Sequence, residues 1–457
     1  MYESIEKKIT EFLIETEPLF NRLIDLSLET AVELYELLDI AANSANLNIK
    51  TINPEIRAVL CSRQDEVLER IIDEDCFQGK VIQKPQAVYT PAVQAYRRWT
   101  NTELLKDKCL TGYMLARTLG ANPVMYFGTK IDDYTYLNTL PGLEILYDSA
   151  PSGAANIYYD HLKSDFHNMD VLILHGMYEQ TIDFLDAYRI LRPEGKVYCG
   201  LDMNSHWMSR IEWEHPKTQK FAEQCDIVAT SCTYLRDKLN QNARVNFPCR
   251  WLSNAFYNAN NTKFNADARK KKNIILTVGR IGTAQKNNSE LLIAFAKVSS
   301  ILQGWSLRLV GPIEPDFQHQ INQYFVKRPD LKERVVFTGA IIDKERLYGE
   351  YASAKIFALT SQMEGGTPNV YAEALYHGCK FVTSDIDAAD DIIGAGTLGI
   401  KYKLGDIDGL CSALIALSRK SSRAEYQKHI PFALEYGRKY FDWNRNAKKL
   451  AYMLYKS

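Results

Sequence analysis

The sequence predicts two successive doubly wound α/β domains, on three observations. The chain has 457 residues, too many for one ordinary core. From about residue 120, short apolar runs alternate with helical patterns. The alternation then restarts after a charged stretch near residue 260. In the first series the strands are PVMYFG (123–128), LEILYD (143–148), VLILHG (171–176), KVYCGLD (196–202) and DIVATS (226–231). The segment ANNTKFNADARKKK (259–272) is polar and charged, as a domain boundary would be. The second series is NIILTVG (273–279), WSLRLVG (305–311), RVVFTG (334–339), KIFALTS (355–361) and KFVTSD (380–385), separated by helical patterns such as SELLIAFAKVSSIL and KERLYGEYASA. Alternation of this kind makes a parallel sheet covered on both faces. Ligands of such domains bind at the carboxyl ends of the strands.

Residues 1–50 read as a helical extension. Ile5, Ile9, Phe12 and Leu13 fall on one helical face, and the pattern resumes after Pro18 with Phe20, Leu23 and Ile24. Residues 1–41 hold 10 acidic and 3 basic residues, so an anionic membrane surface would repel them. Packing on the body or pairing with another chain is the expected role. NSANLNIKTINPE (43–55) reads as a linker. The first α/β domain is expected over 51–258 and the second over 259–439, with a last helix at about 440–457 that can pack back on the first.

Composition narrows the class. Hydrophobic content of 46% and charged content of 24% suit a soluble globular enzyme. A net charge of −1 gives no reason to expect nucleic acid as a partner. MYESIEKKITEFLIE has neither the basic start nor the apolar run of a signal peptide, and no apolar run is long enough to span a bilayer. The nine cysteines are scattered from Cys61 to Cys411 without a CxxC pair. That usage suits free thiols in a reducing cytoplasm and offers no zinc site. A cytoplasmic protein is expected, with peripheral membrane association left open.

Two loops of the second half carry chemistry. GRIGTAQKN (279–287) follows the first strand of that half: Gly279 permits a sharp turn, and Arg280 and Lys286 can grip a diphosphate, one as a fork and one as a point charge. A solvated loop is the plain alternative. In EGGTPNVYAE (364–373), Thr367 suits an N-cap and Pro368 the first helical position. A helix start favours anions. Glu373, in the helix, can accept hydrogen bonds from the two hydroxyls of a ribose. Glu364, before the turn, lies where a sugar beyond the phosphates would reach. The spacing fits a nucleotide-sugar; a capped surface helix with two solvated acids is the alternative.

These blocks, with LRLVGP, VVFTGAI, SQMEGGTPNVYAEALYHGCKFVTSD and GIKYKLGDIDGL, follow one another as in the retaining glycosyltransferases of family 4, and the chain resembles them closely over roughly 273–420. The resemblance implies the GT-B fold, two Rossmann-like domains facing across a cleft. It implies transfer of a sugar, expected to be a hexose, from a nucleotide-sugar (a UDP-sugar is expected) to a hydroxyl of a glycan, lipid-linked or protein acceptor. Retention of anomeric configuration and no obligate metal or other cofactor go with it. Arg280 and Lys286 would bind the donor diphosphate, Glu373 the ribose and Ile341 the base through its backbone. Gly366 and Thr367 would line the donor at the helix start, and Glu364 would sit at the donor sugar. One departure stands out: eight residues separate the two glutamates, one more than the family's usual spacing. Gly365 and Gly366 can take up the extra residue in a bulge.

The N-terminal half resembles the family less. MDVLILHGMYEQ (169–180) is similar to its strand end carrying a histidine, which implies His175 at the interdomain cleft. Asp202 and His206 in GLDMNSHW are weaker candidates beside it, and LTGYMLARTLGANPVMYFG (110–128) is the nearest match to the family's glycine-rich first loop. The acidic run SDIDAADDII (384–393) reads as a loop capping the next helix; the family carries an acid near Asp391 without a metal role. The atypical first half also fits a second class, a non-catalytic glycosyltransferase-like subunit that binds or stabilises a partner through the N-terminal helices. A nucleotide-sugar epimerase of the same fold is disfavoured by the paired glutamates.

Overall fold

The computed structural model describes residues 2–46, 53–73, 85–91, 100–127, 133–148, 155–258 and 266–455. They form two compact units: Met1–Asn260 joined by Asp442–Ser457, and Asn261–Phe441.

The first unit holds a seven-stranded parallel sheet. Its strands are β1 (Ala87–Pro91), β2 (Asn122–Phe127), β3 (Glu144–Tyr147), β4 (Val171–His175), β5 (Lys196–Leu201), β6 (Ile227–Thr230) and β7 (Cys249–Trp251), in the order β3-β2-β1-β4-β5-β6-β7. The five strands expected from the apolar runs are present. The other two, β1 and β7, were not foreseen. β1 is an interior strand, between β2 and β4, and is buried along its whole length, yet its sequence AVYTP ends in a proline, which reads as a strand edge. The glycine-rich candidate at 110–128 is therefore not the first loop. It forms the helix Asp107–Leu119, closed by the left-handed Gly120, and then β2. The loop that does follow β1, at 92–99, lies outside the described residues.

The N-terminal helices belong to this unit's core. Ile9 of the helix Tyr2–Phe20, Leu34 and Leu38 of Leu28–Asn46, and Leu60 and Leu68 of Pro54–Ile72 share one apolar cluster with Val88, Val171 and Ile173 of the sheet. Leu450 and Leu454 of the last helix, Trp443–Tyr455, complete it. The stretch 43–55, expected as a linker, is partly helical: one helix runs to Asn46 and the next begins at Pro54. Asn53 Oδ1 caps that start by accepting from Glu55 N at 2.8 Å. Residues 47–52 of the stretch lie outside the described residues. Buried acids of the helix Pro54–Ile72 fasten it to both ends of the unit. Asp65 accepts from Arg236 at 2.9 Å and from Arg250 Nε at 3.0 Å, and Glu69 from Arg445 at 2.9 Å. A buried carboxylate is tolerated only with such partners.

The second unit is built on β8 (Lys272–Val278), β9 (Ser306–Val310), β10 (Val335–Gly339), β11 (Ala354–Leu359), β12 (Lys380–Ser384) and β13 (Gly399–Tyr402), all parallel, in the order β10-β9-β8-β11-β12-β13. Only β13 was not among the expected strands. Ile275, Leu307, Leu309, Ile356 and Val382 of the sheet pack with Leu291, Phe295, Leu410 and Leu414 of the covering helices Asn288–Val298 and Ile407–Arg419. The near-continuous apolar strands follow from burial on both faces.

Candidate active site

In the second unit the winding of the sheet reverses between β8 and β11, since β9 and β10 lie to one side and β12 and β13 to the other. A crevice opens at the carboxyl ends of the strands at such a reversal. The loops that border it are 279–287, after β8, and 360–368, after β11.

Backbone contacts hold the first loop. A Cβ on Gly311, just past β9, would lie 1.7 Å from the Gly279 carbonyl oxygen, so only glycine permits this approach. Asn287, at φ 46, adopts the left-handed region before the helix Asn288–Val298, and Asn288 Oδ1 accepts from Gly282 N at 2.8 Å. The second loop is stitched to the first. Gln362 N donates to Gln285 O at 2.8 Å, and Thr360 Oγ1 donates to Lys286 O at 3.1 Å and Asn287 O at 3.0 Å.

This scaffold brings Arg280, Lys286 and Glu364 together. Glu364 Oε1 accepts from Lys286 Nζ and from Ser361 Oγ, both at 2.5 Å, and Oε2 accepts from Gln285 Nε2 at 3.3 Å. Gln285 Oε1 accepts from Arg280 at 2.9 Å. Only 8% of Glu364 is exposed, whereas Arg280 is open to solvent. Glu364 thus faces the cation-bearing loop despite the additional residue before the helix. Gly366 takes φ 83, a left-handed conformation. Gln285 and Ser361 were not foreseen; both are neutral and lie inside the quoted stretches, so nothing but the fold distinguishes them.

The helix start needs one correction. Pro368, at ψ 135, is extended and forms the N-cap, and the helix is Asn369–Tyr376; Thr367 is buried one residue earlier. A φ of −66 suits proline at either position, so its ring could not decide between them. Glu373 belongs to a separate group. Its carboxylate accepts from Lys344 Nζ at 3.0 Å and from Tyr351 OH at 2.7 Å. His377 Nδ1 lies 2.6 Å from the Glu373 carbonyl oxygen, and its ring stacks on Tyr351 at 5.7 Å. Burial lowers the His377 pKa to about 4, so the ring is neutral and Nδ1–H donates. Four lone-pair positions leave the Glu373 carboxylate able to accept more. Ile341 is half-buried in the loop between β10 and the helix Lys344–Ser353, which also carries Lys344 and Tyr351.

In the first unit the reversal falls between β1 and β4, and His175 ends β4 there. Its buried Nε2 has no hydrogen-bond partner among the described residues. Burial, assisted by Lys108 and opposed by Asp202, lowers its pKa to about 4 and keeps it neutral at pH 7. Lys108 pairs with Asp202, just past β5, at 3.4 Å. His206 lies in the short helix Ser205–Met208, edge-on to Trp207. Asp391 is in the short helix Ala389–Ile393, where its carbonyl accepts from Tyr436 OH at 2.5 Å. Among the described residues no group of His, Cys, Asp and Glu could hold a metal ion.

Comparison with known protein families falls on the second unit. Residues 272–420 match the family model described as Glycosyl transferases group 1. A lipopolysaccharide outer core galactosyltransferase, WaaB, superposes with TM-score 0.55 at 16% identity, over 81% of this chain and 99% of its own. HepE of Anabaena, solved in complex with UDP, gives 0.58 at 14% identity over 81% and 100%. Sucrose-phosphate synthase of Thermosynechococcus elongatus gives 0.56 at 16% identity over 80% and 97%. The chain has the GT-B fold. No curated protein matches it. The family match over the second unit, with this fold, supports glycosyl transfer as the activity.

Proposed function

We propose that the protein is a retaining glycosyltransferase that moves a sugar, expected to be a hexose, from a UDP-sugar to an acceptor hydroxyl of a glycan, lipid-linked molecule or protein. The observation that carries this reading is the meeting of Arg280, Lys286 and Glu364 at the sheet reversal of the second unit. The difficult step is departure of a nucleoside diphosphate with developing negative charge. Arg280, Lys286 and the first N–H groups of Asn369–Tyr376 supply fixed positive potential for it, beside Gly366 and Thr367. With these cations no obligate metal is required. Glu364 is assigned to the hydroxyls of the donor sugar, Glu373 to the ribose and the Ile341 backbone to the base. His175 is the first unit's candidate catalytic group; as a neutral imidazole it can donate to or accept from a hydroxyl. The structures of Anabaena HepE with UDP and with UDP-glucose favour a uridine nucleotide. The described residues contain no helix long and apolar enough to cross a membrane; we expect the enzyme to act in the cytoplasm.

A panel of UDP- and GDP-sugars tests the reading. Slow release of nucleoside diphosphate from one donor is expected, and NMR of the transferred sugar should show the donor's anomeric configuration. No release from any donor would favour a non-catalytic, partner-binding subunit instead.

A further inference from the structure

Gln285 joins the two loops of the candidate site through its backbone oxygen and its side-chain nitrogen, and its side-chain oxygen holds Arg280. Its backbone oxygen accepts from Gln362 N at 2.8 Å. Its side-chain Nε2 donates to Met363 O at 3.1 Å and to Glu364 Oε2 at 3.3 Å. Its Oε1 accepts from Arg280 at 2.9 Å. The two acceptors on the second loop dictate which way the amide points: the nitrogen must face Met363 and Glu364, so the oxygen must face Arg280. A flipped amide would set an oxygen against a carbonyl and a carboxylate, and two N–H groups against a guanidinium. A carboxylate in this place would be repelled by Glu364 and would compete with any bound anion for Arg280.

We infer that Gln285 is a positioning residue that aims the otherwise solvent-exposed Arg280 guanidinium for a nucleoside diphosphate while keeping its charge free. This deepens the donor-site reading and rests on it. A neutral acceptor holds one N–H of the fork by a single hydrogen bond and leaves the remaining donors for the phosphates, where an acidic neighbour would neutralise the cation. Lys286, by contrast, is paired with Glu364. Arg280 is therefore the cation an arriving diphosphate meets without displacing a carboxylate, and its orientation sets the first contact.

The test is titration calorimetry with UDP on the full-length wild type and on Arg280→Ala, Gln285→Ala, Gln285→Glu and the Arg280→Ala/Gln285→Ala double variant, with thermal melting of each. Loss of one aligning hydrogen bond corresponds to a rise in Kd of about three- to tenfold for Gln285→Ala. Gln285→Glu, nearly the same shape, is expected to bind more weakly than Gln285→Ala. The double variant is expected to bind no more weakly than Arg280→Ala alone, because Gln285 acts through Arg280. A merely structural glutamine would give additive losses and better binding in Gln285→Glu than in Gln285→Ala; either of these overturns the inference. Wild-type affinity in Gln285→Ala beside weakened Arg280→Ala also overturns it, with the donor site intact. Unchanged affinity in Arg280→Ala would instead count against the donor-site reading itself.

Discussion

The two units share a sheet reversal but equip it differently. In the second unit the reversal carries two cations and a nearly buried carboxylate, joined through Gln285 and Ser361 across two loops. In the first unit it carries a neutral histidine whose Nε2 has no hydrogen-bond partner among the described residues, with a lysine–aspartate pair nearby. Binding a diphosphate demands charge at fixed positions, and charge needs partners when the site is half-buried. Recognising a neutral hydroxyl demands one polar atom in the right place. The difference explains why one unit reads as a site from its sequence and the other hardly does.

The contrast can be broken most directly through turnover. Glu364→Gln is expected to cut donor hydrolysis by about a hundredfold or more, the scale of losing one group aimed at the transition state. Its UDP affinity should hold or improve, since Lys286 is released from its carboxylate. His175→Ala is expected to cost less, on the order of tenfold. Equal losses in the two variants would show that the first unit carries as much of the chemistry as the second.

Backbone packing offers a second comparison. Gly311→Ala would place a Cβ 1.7 Å from the Gly279 carbonyl at φ 142, with only backbone to move. A loss of about 3 kcal/mol or more is expected, with weakened UDP binding. Gly112→Ala, in the helix Asp107–Leu119 of the first unit, meets the Thr90 hydroxyl at 2.0 Å. A side chain can shift, so about 1 kcal/mol is expected there. Chemical denaturation of both variants ranks them, and the reverse ranking would contradict the packing argument.

Acid should act on the two units unequally, and this is the smallest expected effect. The pKa values of His377 and His429 in the second unit and His175 in the first are all lowered to about 4, chiefly by burial, from the ordinary 6.5. The unfolded chain therefore takes up these protons first. Stability from the neutral rings is complete above about pH 6.5 and falls as pH drops toward 4. With two such rings, the second unit is expected to lose more melting temperature between pH 7 and 5. His377→Gln should flatten its profile, and an unchanged profile would show that His377 does not contribute.

Much of the fold was legible because its strands are largely apolar, and ten of the thirteen among the described residues were visible as apolar runs. The missing ones are β1, β7 and β13. β1 hides behind Pro91, and β7 has three residues; their burial comes from neighbours distant in sequence. Arg280, Lys286 and Glu364 were legible because ionic groups at strand ends stand out against an apolar background. Gln285 and Ser361 were not, because neutral side chains gain meaning only from their partners. Pro368 was misplaced by one position because its ring fits both sides of a helix boundary. Glu373 was legible as an acid in a helix, but its pairing with Lys344 and Tyr351 needed the approach of the helix Lys344–Ser353.

The central claim is that the second unit holds a donor diphosphate at its sheet reversal, and UDP calorimetry on Lys286→Ala beside Arg280→Ala tests it most directly. Each variant removes a charge-assisted contact of about 1.5–3 kcal/mol, so Kd should rise at least about tenfold in both. Lys286→Ala should lose more, because it also leaves the Glu364 carboxylate without its ammonium partner, facing the phosphates. The double variant Lys286→Ala/Glu364→Gln should recover that additional loss. Wild-type affinity in both single variants would contradict the account.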